Sequence, residues 1–384
     1  MKITDVRAAY PKWKFAGAPG RWQRHFWQIV VRVDTDKGVV GLGYGGGGKP
    51  GVEVVNSHLR ELLVGRTIGS VADIRSAWDD LYAASIPYGR KGLAVMALSG
   101  VDLALWDLLG KALAVPVHAL MGGTLRTEVA LYANINRMTL DRSPDGFARS
   151  ARRVSDAGFA TVKAAPFDGF PARSAGIATV QRATDRGIDC LLAMRAAVGD
   201  EVAIRVDCHS HFDFARAVDV AWRLKPAELD WYEEPVAPSD AITTARINAS
   251  IPQRMAGGER LFGVVGFAPL CRRGVVEVIM PDVMHCGGLL EGRHIAALAA
   301  SVGISVSPHN ACGPVATAAA VQLAAGIEKF DSLELQWGEV DWRSQLTTPA
   351  EQIYRGRLSK HDRPGLGIEL NQQVVAEHRV PLYF

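Results

Sequence analysis

The chain has 384 residues, 48% of them hydrophobic and 22% charged, with a formal net charge of +3. That near balance argues against a nucleic-acid partner, and the length suits one βα barrel of about 250 residues plus a smaller unit. No run of about 18 uncharged apolar residues is present to cross a bilayer, so no membrane partner is expected.

In chain order, MKITDVRAAY alternates as a strand does and lacks an apolar signal core. The apolar segment from Phe26 predicts a hairpin turning over at Asp36 and Gly38. Periodicity near 3.6 then predicts helices around Val54 to Leu63, Val71 to Leu81 and Leu93 to Leu113. Residues 1–125 therefore read as an α+β cap. Gly41, Gly43 and Gly46 satisfy GxGxxG, but Gly47, Gly48, Lys49, Pro50 and Gly51 follow where a helix should open. The reading is a flexible lid and not a dinucleotide loop. Ala16 to Arg21 is expected to move with it over a barrel mouth.

From Val129 the pattern changes to a βα alternation. Eight strand-like runs (EVALYANI, TVKAAP, AIRVDCH, DWYEEP, RMAGGE, VEVIMPD, ISVSPH and SLELQ) predict a TIM-type barrel over 126–345. The step from the second run to the third is long, which predicts an insertion before a helix through Gly176 to Val198. Residues 346–384 lose the beat, and PGLGIELN from Pro364 reads as a tail returning to the cap. Cys190, Cys208, Cys271, Cys286 and Cys312 are odd in number and lack CxxC spacing, so they read as reduced thiols in the cytoplasm.

Asp207, Glu233 and Glu259 are spaced 26 and 26 residues apart, each closing one of these runs. Strand ends meet on one face of a parallel barrel, so the three carboxylates converge on a cation, and an oxygen-only set favours Mg²⁺. A lone acid after a strand is more often a helix cap, but three in phase are not explained that way. The beat continues through Asp282, His309 and Glu334 at steps of 23, 27 and 25 residues. Asp282 can hold one ring nitrogen of His309 and raise the basicity of the other, as a general base requires. His209-Ser210-His211 resembles the HxH of zinc-dependent barrel hydrolases, but it lies on the third run and has no later His pair in ligand phase.

Together these motifs resemble the enolase superfamily, in its mandelate racemase branch. They are AxSGVDLALWDLLGK from Ala97, PVHALMGG, Asp207, EEP at Glu233, GGER with Glu259, PDVMHCGG with Asp282, PHNACGP with His309, and PGLGIEL. The resemblance implies that Glu233, not Glu234, is a Mg²⁺ ligand, that Asp282 and His309 form a base dyad, and that Glu334 hydrogen-bonds a substrate carboxylate. It also implies a homo-oligomer. Racemases of the branch carry KxK on the second strand; here Lys163 is followed by Ala165, so the second Lys is missing. The DxH at Asp207-Cys208-His209 looks like that of sugar-acid dehydratases of the galactonate type, where the His protonates the departing hydroxyl. The resemblance thus implies a dehydratase of an acid sugar, aldonate or aldarate. His309 removes the C2 proton, His209 acts as the acid, and Lys163 and Glu334 support the developing charge. The alternative is a racemase or epimerase, with His211 as a conceivable second base. Substrate contacts are expected from Trp13, Trp22, Arg24 and the Gly45 to Gly48 run in the cap and from Trp337 after the eighth strand.

Overall fold

The computed structural model describes residues 1–10, 12–13, 28–172, 174–272 and 274–380. Strands Ile3–Ala9, Ile29–Thr35 and Val40–Gly45 form an antiparallel sheet in that order. The last two are joined by the expected hairpin, with Gly38 at φ +72 in its turn. The sheet packs on helix Leu93–Leu113, and helix Val71–Gly89 lies against that helix in turn. By length and hydropathy helix Leu93–Leu113 could cross a membrane, but 89% of its apolar 18-residue window is buried inside the protein. Its apolar surface therefore serves packing on all sides.

Asp102 of this helix accepts from Leu289 N at 2.6 Å and Leu290 N at 3.3 Å, and Ser99 Oγ accepts from Gly287 N at 3.0 Å. Asp107 accepts from Leu42 N and Leu366 N at 2.9 and 2.8 Å. The polar residues of the SGVDLALWDLLGK stretch thus tie the cap helix to its own sheet, to the barrel and to the C-terminal segment.

The glycines of the hairpin are not a lid. A Cβ on Gly41 or Gly43 would lie 2.1 Å from Ala104 O or 2.2 Å from Gly100 O, so these alternate residues let strand and helix touch backbone to backbone. A helix, Gly48–Glu53, does open after them. The expectation of a lid is corrected for Gly41 and Gly43, which lie in a strand and serve close approach. Ala16 to Arg21 lies outside the described residues.

Eight parallel strands make the barrel: Glu128–Asn134, Thr161–Ala164, Ala203–Asp207, Leu229–Glu233, Met255–Gly257, Val278–Ile279, Ser305–Val306 and Leu333–Gln336. The first seven pair in sequence order and the eighth pairs with the first. A Val306 to Phe330 bridge and Glu334 N donating to Pro308 O at 3.3 Å join the seventh to the eighth. Inside the barrel Tyr132, Trp231, Ala256, Val278 and Met280 form a separate apolar cluster. The Arg205 guanidinium lies 3.6 Å from the Trp231 ring centroid and reaches Asp230 and Asp331. After the barrel, strands Ile353–Tyr354 and Arg357–Ser359 extend the first barrel strand antiparallel. Gly365 then bridges to Pro116 beside the cap helix.

Candidate active site

Asp207 and Glu233 end the third and fourth barrel strands and are register partners, while Glu259 follows the fifth. All three are buried, so each charge requires a nearby cation or proton. Lys163, on the second strand and itself buried, supplies one. Its Nζ donates to Glu233 Oε1 and Oε2 at 2.9 and 3.1 Å, lies 2.9 Å from Glu334 Oε1 and stands 3.6 Å from Asp207 Oδ2. Burial alone would lower the Lys163 pKa, but the charges of Glu233 and Glu334 hold it well above the usual value. Glu334 is buried too, and is held ionised by Lys163 and His309 against the effect of burial. Asn134 Nδ2 donates to its Oε1 at 2.7 Å, and Asn310 N to its Oε2 at 3.1 Å.

Two imidazoles flank these acids, each in its own carboxylate partnership. His309 Nδ1 lies 2.7 Å from Asp282 Oδ2, and Asp282 Oδ1 accepts from Met284 N at 2.7 Å. The other His309 nitrogen, Nε2, faces Glu259 Oε2 at 3.2 Å and Glu334 Oε2 at 3.6 Å. Burial works against a charged ring, but Glu259, Glu334 and Asp282 raise the His309 pKa to about 10. His209 Nδ1 lies 2.5 Å from Asp168 Oδ1, and its Nε2 is 3.1 Å from Asp207 Oδ2. Those two carboxylates raise its pKa well above the ordinary value despite burial.

The donor set fits a hard divalent cation. Ligand atoms of Asp207, His209 and Glu259 lie within 4.8 Å of one another. Glu259 Oε2 is buried and accepts no hydrogen bond, the His309 contact lacking the alignment of one. Burial and the adjacent Asp207 charge push Glu233 well above the usual carboxylate range, so a further cation is what would keep it ionised. Glu233 itself is turned toward Lys163, outside the compact trio. The three carboxylates Asp207, Glu233 and Glu259 offer only oxygen donors, which suit Mg²⁺ better than zinc, whereas the compact trio includes a His209 nitrogen.

Glu234 faces the other way. With φ +36 it accepts from Gly258 N at 2.9 Å and from Arg260. Trp337 does not join the cluster. Its indole stands edge to face with Phe159 at 5.9 Å, and the Arg153 guanidinium lies 5.8 Å from its centroid. The ring is thus turned to the helix side of the barrel wall, which corrects its placement at the mouth. Arg24, Trp22 and the Trp13 side chain lie outside the described residues. His211 stacks on Phe170 at 6.0 Å, and burial lowers its pKa. Ala165 offers only its carbonyl, which accepts from Arg142 at 2.5 Å.

Sequence reasoning missed Asp168, Asn134 and Asn136. Asp168 lies in the long step before helix Ile177–Val198, where Asn136 Nδ2 donates to its Oδ2 at 2.6 Å and Arg142 in turn holds Asn136 Oδ1 at 2.7 Å. The unusual length of that step was the one available signal. His285, three residues after Asp282, was missed as well; its Nδ1 lies 3.5 Å from Asp282 Oδ2.

Residues 146–374 match the family described as enolase C-terminal domain-like, and residues 14–122 match the N-terminal domain of mandelate racemase / muconate lactonizing enzyme. The chain is 30% identical to a D-galactarolactone cycloisomerase of Agrobacterium fabrum over 99% of this chain and 100% of that protein. It is 32% identical to an L-rhamnonate dehydratase of Saccharopolyspora erythraea over 90% and 84% of the two chains. Among solved structures, a mandelate racemase/muconate lactonizing enzyme-like protein of Rubrobacter xylanophilus superposes with TM-score 0.87 at 28% identity, covering 99% of this chain and 98% of that one. With both domain families matched in order and the barrel carrying its acids at consecutive strand ends, the chain belongs to the enolase superfamily.

Proposed function

We propose that this protein is a Mg²⁺-dependent dehydratase of a sugar acid, aldonate or aldarate, that removes the C2 proton and eliminates the C3 hydroxyl to give a 2-keto-3-deoxy acid. The observation that carries the reading is the pair of histidines. His309 is held by Asp282, and His209 by Asp168 and Asp207, around one set of carboxylates. Elimination needs two proton transfers, one from C2 and one to the C3 oxygen, whereas exchange at one face needs only the first.

Asp207, Glu233 and Glu259 would hold Mg²⁺. When bound, the ion would stabilise the negative charge that develops on the substrate carboxylate as C2 loses its proton. Lys163 orients that carboxylate end as a buried cation, and Glu334, fixed by Asn134 and Asn310, would donate to it once protonated. Neutral His309 takes the C2 proton on Nε2 while Asp282 holds Nδ1, and a cation held by Glu259 would offset a charge that keeps the ring protonated. The imidazolium of His209 gives its proton to the C3 oxygen, and water leaves. The enol so formed takes a proton at C3 to become the keto acid.

The supporting relatives bear dehydratase names. The full-length match to a cycloisomerase favours a second reading, in which the oxygen protonated by His209 belongs to a lactone ring and stays in the product. A racemase remains less favoured because Ala165 stands where a second base would be. Five buried free thiols are in keeping with a reducing, cytoplasmic setting.

The test is a screen of purified protein with Mg²⁺ against acid sugars and their lactones, with mass spectrometry of the products. Loss of water with a new 2-keto acid is expected. An isomer of unchanged mass would favour the second reading, and no turnover of any acid sugar would refute the first.

A further inference from the structure

We propose that His285 is a specificity-determining residue that reads a substrate hydroxyl beyond C3. The assignment rests on the sugar-acid reading above. His285 lies between Asp282 and helix Gly288–Ser301, and neither of its ring nitrogens makes a hydrogen bond although both are buried. Buried polar atoms are nearly always paired, so a ring with two free nitrogens points to a partner that arrives with the ligand. Its protein neighbours do not fill that role. Asp282 Oδ2 is 3.5 Å from His285 Nδ1, but the same oxygen is engaged at 2.7 Å by His309.

Position adds a second argument. The His285 ring lies 6.3 Å from that of His309, with 29° between the planes, so it continues along the mouth from the group that faces C2. The cap closes on its outer edge. Gly46 N donates to Met284 O at 3.3 Å, and a Cβ on Gly46 would stand 2.9 Å from His285 Cδ2 and 3.1 Å from Nε2. A glycine there lets the cap backbone lie on the polar edge, which a larger side chain would crowd.

The ligand class follows from the donor count. A neutral imidazole offers one donor and one acceptor, the complement of an alcohol, which also gives one and takes one. A second carboxylate would ask for donors on both sides or for a cation. The tail read at His285 is therefore a hydroxylated carbon, and an acid lacking it should be bound without help from this residue.

His285→Phe keeps a ring against His309 and Gly46 but removes both polar atoms, and His285→Gln restores a donor and an acceptor. For the acid sugar turned over by the wild-type enzyme, His285→Phe should raise KM about tenfold or more with kcat held within about threefold, and His285→Gln should recover part of the loss. The inhibition constant of glycerate, which has hydroxyls only at C2 and C3, should not move, nor should the limbs of the pH-rate profile. Gly46→Ala crowds the same edge from the cap and should raise KM in the same way, which serves if His285→Phe fails to fold by circular dichroism. Equal weakening of glycerate, a loss confined to kcat, or shifted limbs would overturn the assignment in favour of a role through Asp282. An unaltered KM in His285→Phe would overturn it alone, whereas a wild-type enzyme that turns over no acid sugar would remove the dehydratase reading as well.

Discussion

His209 is held in an unusual backbone state. It and Ser210 have φ of +44 and +59, the left-handed region that non-glycine residues seldom enter. The turn is kept by His209 N donating to Asp207 Oδ1 at 2.9 Å and Ser210 N to Glu234 O at 2.7 Å. The ring is aimed by Asp168. Replacing Asp168 by Asn should lower kcat about 10- to 100-fold, the usual scale for removing a partner that orients a functional His. It also removes an anion that raises the His209 pKa, so the alkaline limb of the pH-rate profile should move to lower pH. A profile and kcat like those of wild type would show that Asp168 does not act through His209. On the other side, His309→Asn should abolish both product formation and C2 proton exchange, followed by NMR in D₂O, because Ala165 provides no base. Residual exchange would point to His211 or His209 instead.

At the scale of elements, the strand glycines make the sharpest prediction. Gly43→Ala would drive a methyl into Gly100 O and Ala104 N, both backbone atoms of helix Leu93–Leu113 that cannot swing away. A loss of about 1–3 kcal/mol or more is expected by denaturant unfolding, with the transition falling accordingly. An unchanged midpoint would contradict the close-packing account. The same glycines show where sequence reasoning ran out. Their purpose lies in a helix some sixty residues later, and nothing local distinguishes a strand that must touch a helix backbone from a loose loop. The barrel strands were legible for the opposite reason. Each is a short apolar run ended by a polar residue, and the chain repeats that unit at the length one βα step consumes. Asp207, Glu233, Glu259, Asp282, His309 and Glu334 could therefore be found by phase alone. Asp168 and His285 could not, because they lie in loops whose paths no period specifies. Trp337 had the right phase, but its ring turns outward to Phe159, a choice made by packing.

For the molecule as a whole, the cap and barrel meet through Asp102, Ser99 and Gly46, so the loop carrying Asp282 and His285 is braced from the cap. Binding of a cation to the folded state alone should stabilise it by mass action. Saturating Mg²⁺ should therefore raise the melting temperature of the wild-type protein, and chelation should abolish activity. Glu233→Gln should lose both the thermal increment and turnover while keeping a native circular dichroism spectrum. An increment that survives in Glu233→Gln would contradict its place in the ligand set. The central claim is that base and acid are separate groups acting on one substrate, and it is tested most directly with His209→Asn in D₂O containing Mg²⁺, with C2 deuteration and 2-keto acid measured in parallel by NMR. Dehydration should fall about 10²- to 10⁴-fold, the contribution typical of general acid catalysis, while deuterium still enters C2 of the unconsumed substrate. Product formation at the wild-type rate would contradict the account.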